Sequence, residues 1–531
     1  MAREISPEEA HSIAPDLVGE GLEPAAATEA RRVFGGAVAR GRAGAAPRSA
    51  AALDHAGIRS ILAGIMLAMF LSALEQTIVA PALPAIGKSL GDIDNLAWVV
   101  TAYLLAATAA TPLFGKLSDI HGRRAVMLLA IVIFIVGSLA CALAPTIWIL
   151  VLGRGLQGLG GGGLLPLAQT VIADILSPRE RPIAQSYTSV VFMSASIFGP
   201  VLGGLLTDHL HWSFIFWLNL PLGAAALVMT ARALRRLPQH HRPHRLDVLG
   251  CALMVGAALA LMLALSWGGT REAWSSRTIV VLIGASAALW VLFAARLLTA
   301  REPFIPLAIL RGRLTSAITC AAFFAVGTII GVTIYVPLYC QMVLGVSASA
   351  SGLPLIAFMG GATLGAVLGG RLIALLVHYM RVPMIGLAVA IATFALLAVN
   401  PAGHSFASFT VLLAVLGVAI GPMYPTSTIV MQNAVRPHQL GTATGTLNFF
   451  RLLGGAIIVA AFGAIVLGSA SAGGGAITVE RLAADHADLA PAFRFVFIAG
   501  AVFVGIALAC LLAVEERPLH GPFRVADRTA D

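Results

Sequence analysis

Along most of its length the chain repeats one pattern, an apolar run of roughly twenty residues followed by a short polar or charged connection. Fourteen such runs can be read, at about 59–87, 97–115, 124–143, 147–172, 187–207, 212–231, 247–266, 278–296, 315–340, 353–376, 383–399, 407–431, 441–467 and 495–514. Each is long enough to cross a hydrocarbon layer as a helix. In lipid the backbone amides find no water, so a spanning segment must bond within itself or close into a barrel. None of the runs alternates strictly between apolar and polar positions, which excludes the barrel. The expectation is an all-α integral membrane protein with fourteen transmembrane helices. The run edges near 371–384 and 467–494 are the least sharply marked.

Composition agrees. Of 531 residues, 58% are hydrophobic and 11% are charged, with a mean hydropathy of +0.90. Soluble domains carry about 25% charged residues, so the three or four soluble domains that length alone suggests are excluded. The net charge of +9 raises nucleic acid as a partner, but its distribution argues for membrane topology instead. With the N-terminus placed inside, the outer connections hold only Lys88, Arg271, Arg277, Arg481 and Arg494 of the 34 basic residues. Arg154 and Arg451 lie within apolar runs, and the rest fall on the inner side. That asymmetry predicts cytoplasmic N- and C-termini. Every basic residue but Lys88 and Lys116 is arginine, and alanine is abundant. This suggests a GC-rich bacterial genome and hence the bacterial inner (plasma) membrane.

Two arginine-rich connections, 232–245 and 296–313, bracket the seventh and eighth runs. The predicted organisation is a disordered cytoplasmic tail (1–57), a six-helix bundle (58–232), an inserted helix pair with basic flanks (233–313), a second six-helix bundle (314–515) and a cytoplasmic tail (516–531). The first tail is polar and acidic and lacks the apolar core of a secretory signal. His240, His241 and His244 are a candidate metal set, with solvated loop histidines as the simpler reading. Cys141, Cys251, Cys320, Cys340 and Cys510 have no metal-like or redox-like spacing and read as small buried hydrophobes. No metal site is predicted.

Of the 25 acidic residues, Glu75 is the one deep inside an apolar run; Ser60–Gly87 contains no other charge. A carboxylate at membrane depth is unfavourable unless paired, hydrated or protonated. Glu75 is therefore a proton-site candidate, the alternative being a fixed ion pair. Pro81 and Pro84 follow it and favour a bend. Arg154 and Gln157, spaced i,i+3, share a helix face. Arg154 either tunes Glu75 or braces neighbouring backbone. Cavity candidates are Gln76, Tyr103, Gln157, Tyr335, Tyr339, Tyr424, Asn448 and Arg451, while interfacial aromatic belts offer a plainer role for the tyrosines. Gly199 with Gly203, and Gly361, Gly365 and Gly369, are small residues four apart, a spacing that suits close helix packing. Gly160–Gly163 lacks the Lys-Ser/Thr of a phosphate-binding loop, so bound ATP is not the expected energy source.

The segment Gly115-Lys-Leu-Ser-Asp119-Ile-His-Gly122-Arg123-Arg124 has the order Gly-x-Leu-x-Asp-x-x-Gly-Arg-Arg. This resembles the signature loop of the major facilitator superfamily. Leu74–Pro84 resembles the first-span motif of its fourteen-span drug/proton antiporters, the QacA/EmrB type. Trp98–Tyr103, Arg154–Gly158, Gly199-Pro200-Val-Leu-Gly203-Gly204, Trp212–Pro221 and Asn448–Gly455 resemble further motifs of that family. Together they cover about residues 58–515. Three departures stand out: Glu75 replaces the usual aspartate, Ala195 replaces a glycine, and Gly369-Gly370-Arg371-Leu372 lacks the acid of its counterpart around Asp119.

The resemblance implies a non-enzymatic multidrug exporter with two bundles rocking about a midplane cavity. Glu75 and Arg154 would couple to protons. Gly115, Asp119, Gly122, Arg123 and Arg124 would form a conformational latch, and Gly199, Pro200, Gly203 and Gly204 the antiporter motif. No cofactor is implied beyond the proton gradient. The implied partners are a small-molecule substrate, protons and the bilayer, with no nucleic acid, and the chain is expected to act as a monomer. A lipid or glycolipid exporter, a proton-coupled nutrient symporter and a non-transporting sensor are the other readings.

Overall fold

A computed structural model describes residues 55–91, 95–236, 246–269, 272–347, 350–470, 489–514 and 516. The predicted tail 1–57 except its last three residues, the histidine set at 240, 241 and 244, and the tail after 516 lie outside the described residues. Among the described residues there are helices and turns and no strand, apart from one isolated bridge between Gly268 and Glu272.

Thirteen described helices are long and apolar enough to cross a membrane. They are Gly57–Leu90, Ala97–His121, Arg123–Ala142, Arg181–His209, Phe214–Ala233, Val248–Trp267, Arg277–Thr299, Arg313–Met342, Gly352–Leu375, Arg381–Val399, Phe406–Ala434, Pro437–Val466 and Ala490–Leu512. The remaining expected span is also present as one continuous helix, Ile147–Ile175. Its glycines, glutamines and Arg154 lower its hydropathy, and the helices around it bury one face. The fourteen are numbered below as spans in chain order.

Prolines and glycines shape the spans, at Pro81 and Pro84 as expected and at a further place the sequence reading did not single out. The first helix ends at Ile78, passes through a tight 3-10 turn at Ala80–Ala82 and resumes at Leu83–Leu90. Pro81 and Pro84 each lack the amide that would continue the helix. The twelfth span breaks at Gly421-Pro422 in the same way, between Phe406–Ile420 and Met423–Ala434. One expectation is corrected. Gly115–Asp119 is not a loop but the last turns of the second span, which runs to His121. Only Gly122, with φ 86°, makes the reversal into the third span, in backbone space that other residues rarely occupy.

The fold is two six-helix groups with a helix pair inserted between them. In the first group, span 4 packs on spans 1, 2 and 3, and span 1 on spans 5 and 6. In the second, span 9 packs on 12, 13 and 14, and span 10 on 12. The groups meet along two equivalent seams, span 2 against 13 and span 5 against 10. Spans 7 and 8 pack on each other, and span 7 also lies against 2 and 13. Asp247 anchors this pair: it caps span 7 by accepting from the Gly250 amide at 3.1 Å and bonds Arg296 Nε of span 8, also at 3.1 Å.

Small residues allow these approaches. A β-carbon on Gly162 would lie 2.1 Å from the Ala107 carbonyl oxygen, and one on Gly160 would lie 2.4 Å from the Phe134 amide nitrogen. Span 4 therefore fits between spans 2 and 3 only without side chains there. A β-carbon on Gly204 would meet no atom of another element within 4 Å. Gly162→Ala is expected to lower stability by about 1–3 kcal/mol through overpacking. Gly204→Ala should be neutral or slightly stabilising, since alanine is the better helix former. Thermal unfolding of the purified variants checks this; equal midpoints would refute the packing argument.

Candidate functional site

Glu75 lies in the last turn before the break in span 1 and is fully buried. Its two oxygens have separate partners. Arg154 Nη1 of span 4 donates to Oε1, and Asn219 Nδ2 of span 6 donates to Oε2. Arg154 is almost as buried as its partner and is held on all sides. Its Nε donates to the Val99 carbonyl at 2.9 Å, and its Nη1 also reaches Gln157 Oε1 at 2.7 Å. Its guanidinium lies 4.4 Å from the centre of the Tyr103 ring and 5.8 Å from that of Phe216. Gln157 in turn donates to Ser138 Oγ at 2.8 Å, which ties in span 3. The sequence left the partner of Glu75 open; the structure joins Glu75 and Arg154 directly.

The Tyr103 hydroxyl donates to the Ser72 carbonyl, and Ser72 Oγ to the Gly161 carbonyl. Tyr103 and Gln157 thus belong to the Glu75 network. Gln76, the next residue along, is exposed and donates back to the Ser72 carbonyl. Two residues past Glu75, Thr77 Oγ1 donates to the Ala195 carbonyl of span 5 at 2.9 Å. A β-carbon on Gly199 would lie 2.0 Å from that Thr77 oxygen, and one on Gly203 2.2 Å from the Ile78 carbonyl oxygen. Gly199 and Gly203 thus hold span 5 against the break in span 1, while Gly204 meets nothing and Pro200 is exposed.

A second cluster joins the two helix groups. Asp119 ends span 2, and its carboxylate faces the first turn of span 13, which begins at Leu440. Oδ1 accepts from the Gly441 amide at 3.0 Å, and Oδ2 accepts from the Thr442 amide at 2.7 Å and the Thr442 hydroxyl at 2.6 Å. The first amides of a helix have no partner within it and carry its positive end, so a carboxylate there is favoured. Arg123 Nη1 holds the same Asp119 at 2.6 Å, while its Nε holds Asp174 of span 4 at 2.8 Å. Arg124 is not part of this network, and its buried Nε has no partner. Gly115 permits the approach, since a β-carbon there would lie 2.3 Å from the Gly441 carbonyl oxygen.

Deeper along the same seam, Asn448 of span 13 donates to Gln169 Oε1 of span 4 at 2.7 Å. Gln432 of span 12 donates to the Gln169 carbonyl at 3.1 Å. Arg451 lies beside them. Its Nη2 donates to the Tyr424 carbonyl, Ser427 Oγ and Thr428 Oγ1 at 2.6–2.9 Å, and its Nη1 to Asn448 Oδ1 at 3.0 Å. The Tyr424 ring lies 4.2 Å from its guanidinium carbon. The other two tyrosines are placed elsewhere. Tyr339 packs among Phe409, Phe493 and Phe497 and bonds the Pro401 carbonyl; Tyr335 bonds the Val459 carbonyl at 3.2 Å.

Sequence reasoning missed Asn219, Gln169, Thr442 and Asp174. Asn219 had a visible signal as a lone amide in the apolar run Phe216–Leu222. The others look like ordinary polar residues near helix ends or within helices, and their partners are distant in sequence. No group of three or more potential metal ligands occurs among the described residues.

Residues 65–459 match the Major Facilitator Superfamily model. The chain is 33% identical over 406 residues to the "Multidrug transporter protein MdtP" of Bacillus subtilis, covering 76% of this chain and 75% of that protein. It is 31% identical over 411 residues to "Multidrug resistance protein 3" of the same organism, covering 77% and 80% respectively. Among solved structures, the human organic anion transporter MFSD10 superposes with a TM-score of 0.61 at 18% identity, covering 85% of this chain and 99% of that one. The proton:xylose symporter XylE superposes with a TM-score of 0.57 at 14% identity, covering 86% and 95%; both show a shared fold. The chain belongs to the Major Facilitator Superfamily. It is a multi-pass membrane transporter of a small-molecule substrate, not an enzyme.

The burial of the Glu75–Arg154 pair has a measurable consequence. Arg154→Leu leaves a buried carboxylate without its counter-charge and should cost about 3–5 kcal/mol. Glu75→Gln combined with Arg154→Leu removes both charges and should regain most of that loss. Thermal unfolding of both variants checks this, and a double variant no more stable than the single one would contradict it.

Proposed function

We propose that the protein exports small, drug-like organic molecules in exchange for protons by alternating access. The observation that carries this reading is the Glu75–Arg154 pair, fully buried beside the break in span 1. As a carboxylate, Glu75 ties spans 1, 4 and 6 together through Arg154 and Asn219. Protonation removes the charge from that tie and leaves Arg154 with the Val99 carbonyl and Gln157. The change reaches span 5 through Thr77 and Ala195, and span 5 packs against span 10 of the other group. Proton occupancy thus bears on the seam between the groups. The bilayer's proton gradient is the energy source, with no cofactor.

The Asp119 carboxylate on the first turn of span 13 closes one end of that seam. Arg181 Nη1, 3.3 Å from Asn433 Oδ1, and the Gln169–Asn448 contact lie on the same side. By the distribution of arginine this side is cytoplasmic, as are both termini, and the membrane is the bacterial inner membrane. Proton uptake by Glu75 from outside would accompany substrate release there, and proton loss to the cytoplasm would accompany reloading. The multidrug transporters and efflux pumps named among the relatives, and the QacA/EmrB-like first-span motif around Glu75, support the export direction. The chain is expected to act as a monomer.

Two measurements test this. In proteoliposomes with an imposed pH gradient, Glu75→Gln should reduce driven transport of a cationic dye to the leak rate while the protein still inserts. Gradient-driven transport equal to that of the parent would sink the assignment. Asp119→Asn keeps the shape but removes the charge facing the span 13 amides, a contact worth about 1–3 kcal/mol. Cysteines introduced on the cytoplasmic side of the seam should then label several-fold faster than in the parent. Equal labelling would count against the latch.

A further inference from the structure

The charges inside the membrane do not balance between the two helix groups. In the first, Glu75 neutralises Arg154. In the second, Arg451 is about as buried as Arg154, and its partners are the Tyr424 carbonyl and the side chains of Tyr424, Ser427, Thr428 and Asn448, none of them a carboxylate. Among the described residues no carboxylate lies within ion-pair distance of it. A buried charge without a counter-charge is strongly unfavourable, and chains that keep one generally use it.

Unused donors point the same way. The Nε of Arg451 is buried without a well-formed hydrogen bond, and so is the Nε2 of Gln169, which faces Asn448 from span 4; the Tyr424 side chain is the polar group beside both residues. Buried N–H groups left unpaired are rare in folded proteins and call for an explanation. Here a full positive charge and two unpaired N–H groups lie in one cluster contributed by both helix groups. The Tyr424 ring stacks over the Arg451 guanidinium, 4.2 Å from its carbon. Planar guanidinium groups match carboxylates in shape and charge, and bonds to charged acceptors are about twice as strong as neutral ones.

We propose that Arg451, with Gln169 and Asn448 beside it, receives the carboxylate of an acidic organic substrate, so that the transported molecules include amphipathic organic acids. The substrate anion supplies the counter-charge that the second helix group lacks. In the conformation described, the seam is closed and Asn448 and Gln169 occupy each other. Separation of spans 4 and 13 would free both amides and open the guanidinium to the substrate. The inference rests on the transport reading above and narrows its substrate class.

The test uses three probes with the same apolar body: pyrenebutyrate, its primary amide and pyrenebutylamine. Their binding to the purified full-length protein is followed by pyrene fluorescence anisotropy. The parent should bind the carboxylate at least about tenfold more tightly than the amide, as expected for bonds to a charged acceptor. R451Q should bring that ratio close to one without changing amide affinity, and R451K, which keeps the charge but not the fork, should retain part of it. A parent ratio near one, or an R451Q variant that keeps the full preference, overturns the proposal. An R451Q variant that loses stability but not the preference shows that Arg451 only braces the break in span 12, which also overturns it. If R451Q does not fold, the parent ratio and R451K still decide. Gradient-driven transport of a cationic dye that requires Glu75, together with equal amide and carboxylate binding, would refute this inference alone. Carboxylate selectivity through Arg451 without gradient-driven flux would refute the transport reading alone.

Discussion

Glu75 and Arg154 express the constraint on which the rest of the molecule depends: inside a bilayer, each charge and each backbone amide must find its partner within the protein. The carboxylate accepts from two side chains on two other spans, and the guanidinium is bonded, stacked and enclosed. Five of the first six spans therefore contribute atoms to one small network: Val99 and Tyr103 bring in span 2, and Ser138 brings in span 3. Such a network is stable when complete and unfavourable when any member loses its partner. That property ties the state of Glu75 to several helices at once.

The same rule governs the seams between the helix groups. The first amides of span 13 have no partner in their own helix, and Asp119 of span 2 supplies one from across the seam. Arg123 fixes the carboxylate from its other side and reaches Asp174 of span 4 as well. Glycines make the contact close enough, Gly115 against Gly441 on one seam and Gly370 against the Pro182 carbonyl on the other. The second seam has no acid at the matching position: in Gly370-Arg371-Leu372-Ile373-Ala374 an alanine stands where the first seam has Asp119. The two seams are alike in packing but not in charge: among the described residues a carboxylate joins the first seam and not the second.

Arg451 shows the rule incompletely satisfied. Its neutral acceptors hold it in the closed seam, yet among the described residues no carboxylate balances its charge and its Nε makes no well-formed hydrogen bond. Glu75 and Arg451 thus differ physically: the first is charge-balanced by Arg154, while the second is a buried cation with no carboxylate beside it among the described residues.

Much of this could be read from the chain alone. The apolar runs predicted all fourteen helices, because hydrocarbon demands long, internally bonded segments. Pro81 and Pro84 predicted the break in span 1, and the isolation of Glu75 marked it as the residue to explain. The order of residues from Gly115 to Arg124 also marked a functional element, although its glycines suggested a loop where the helix runs on to His121. Only the tertiary structure decided the pairings: Glu75 with Arg154 and Asn219, Asp119 with the amides of span 13, Arg451 with no acid, and Tyr339 within the aromatic core. The physical reason is range. Hydropathy, proline and glycine act within a few residues of themselves, so the sequence determines the helices and where they bend. Charges and hydrogen bonds act across space between residues 79, 144 and 322 positions apart, and only packing brings those together.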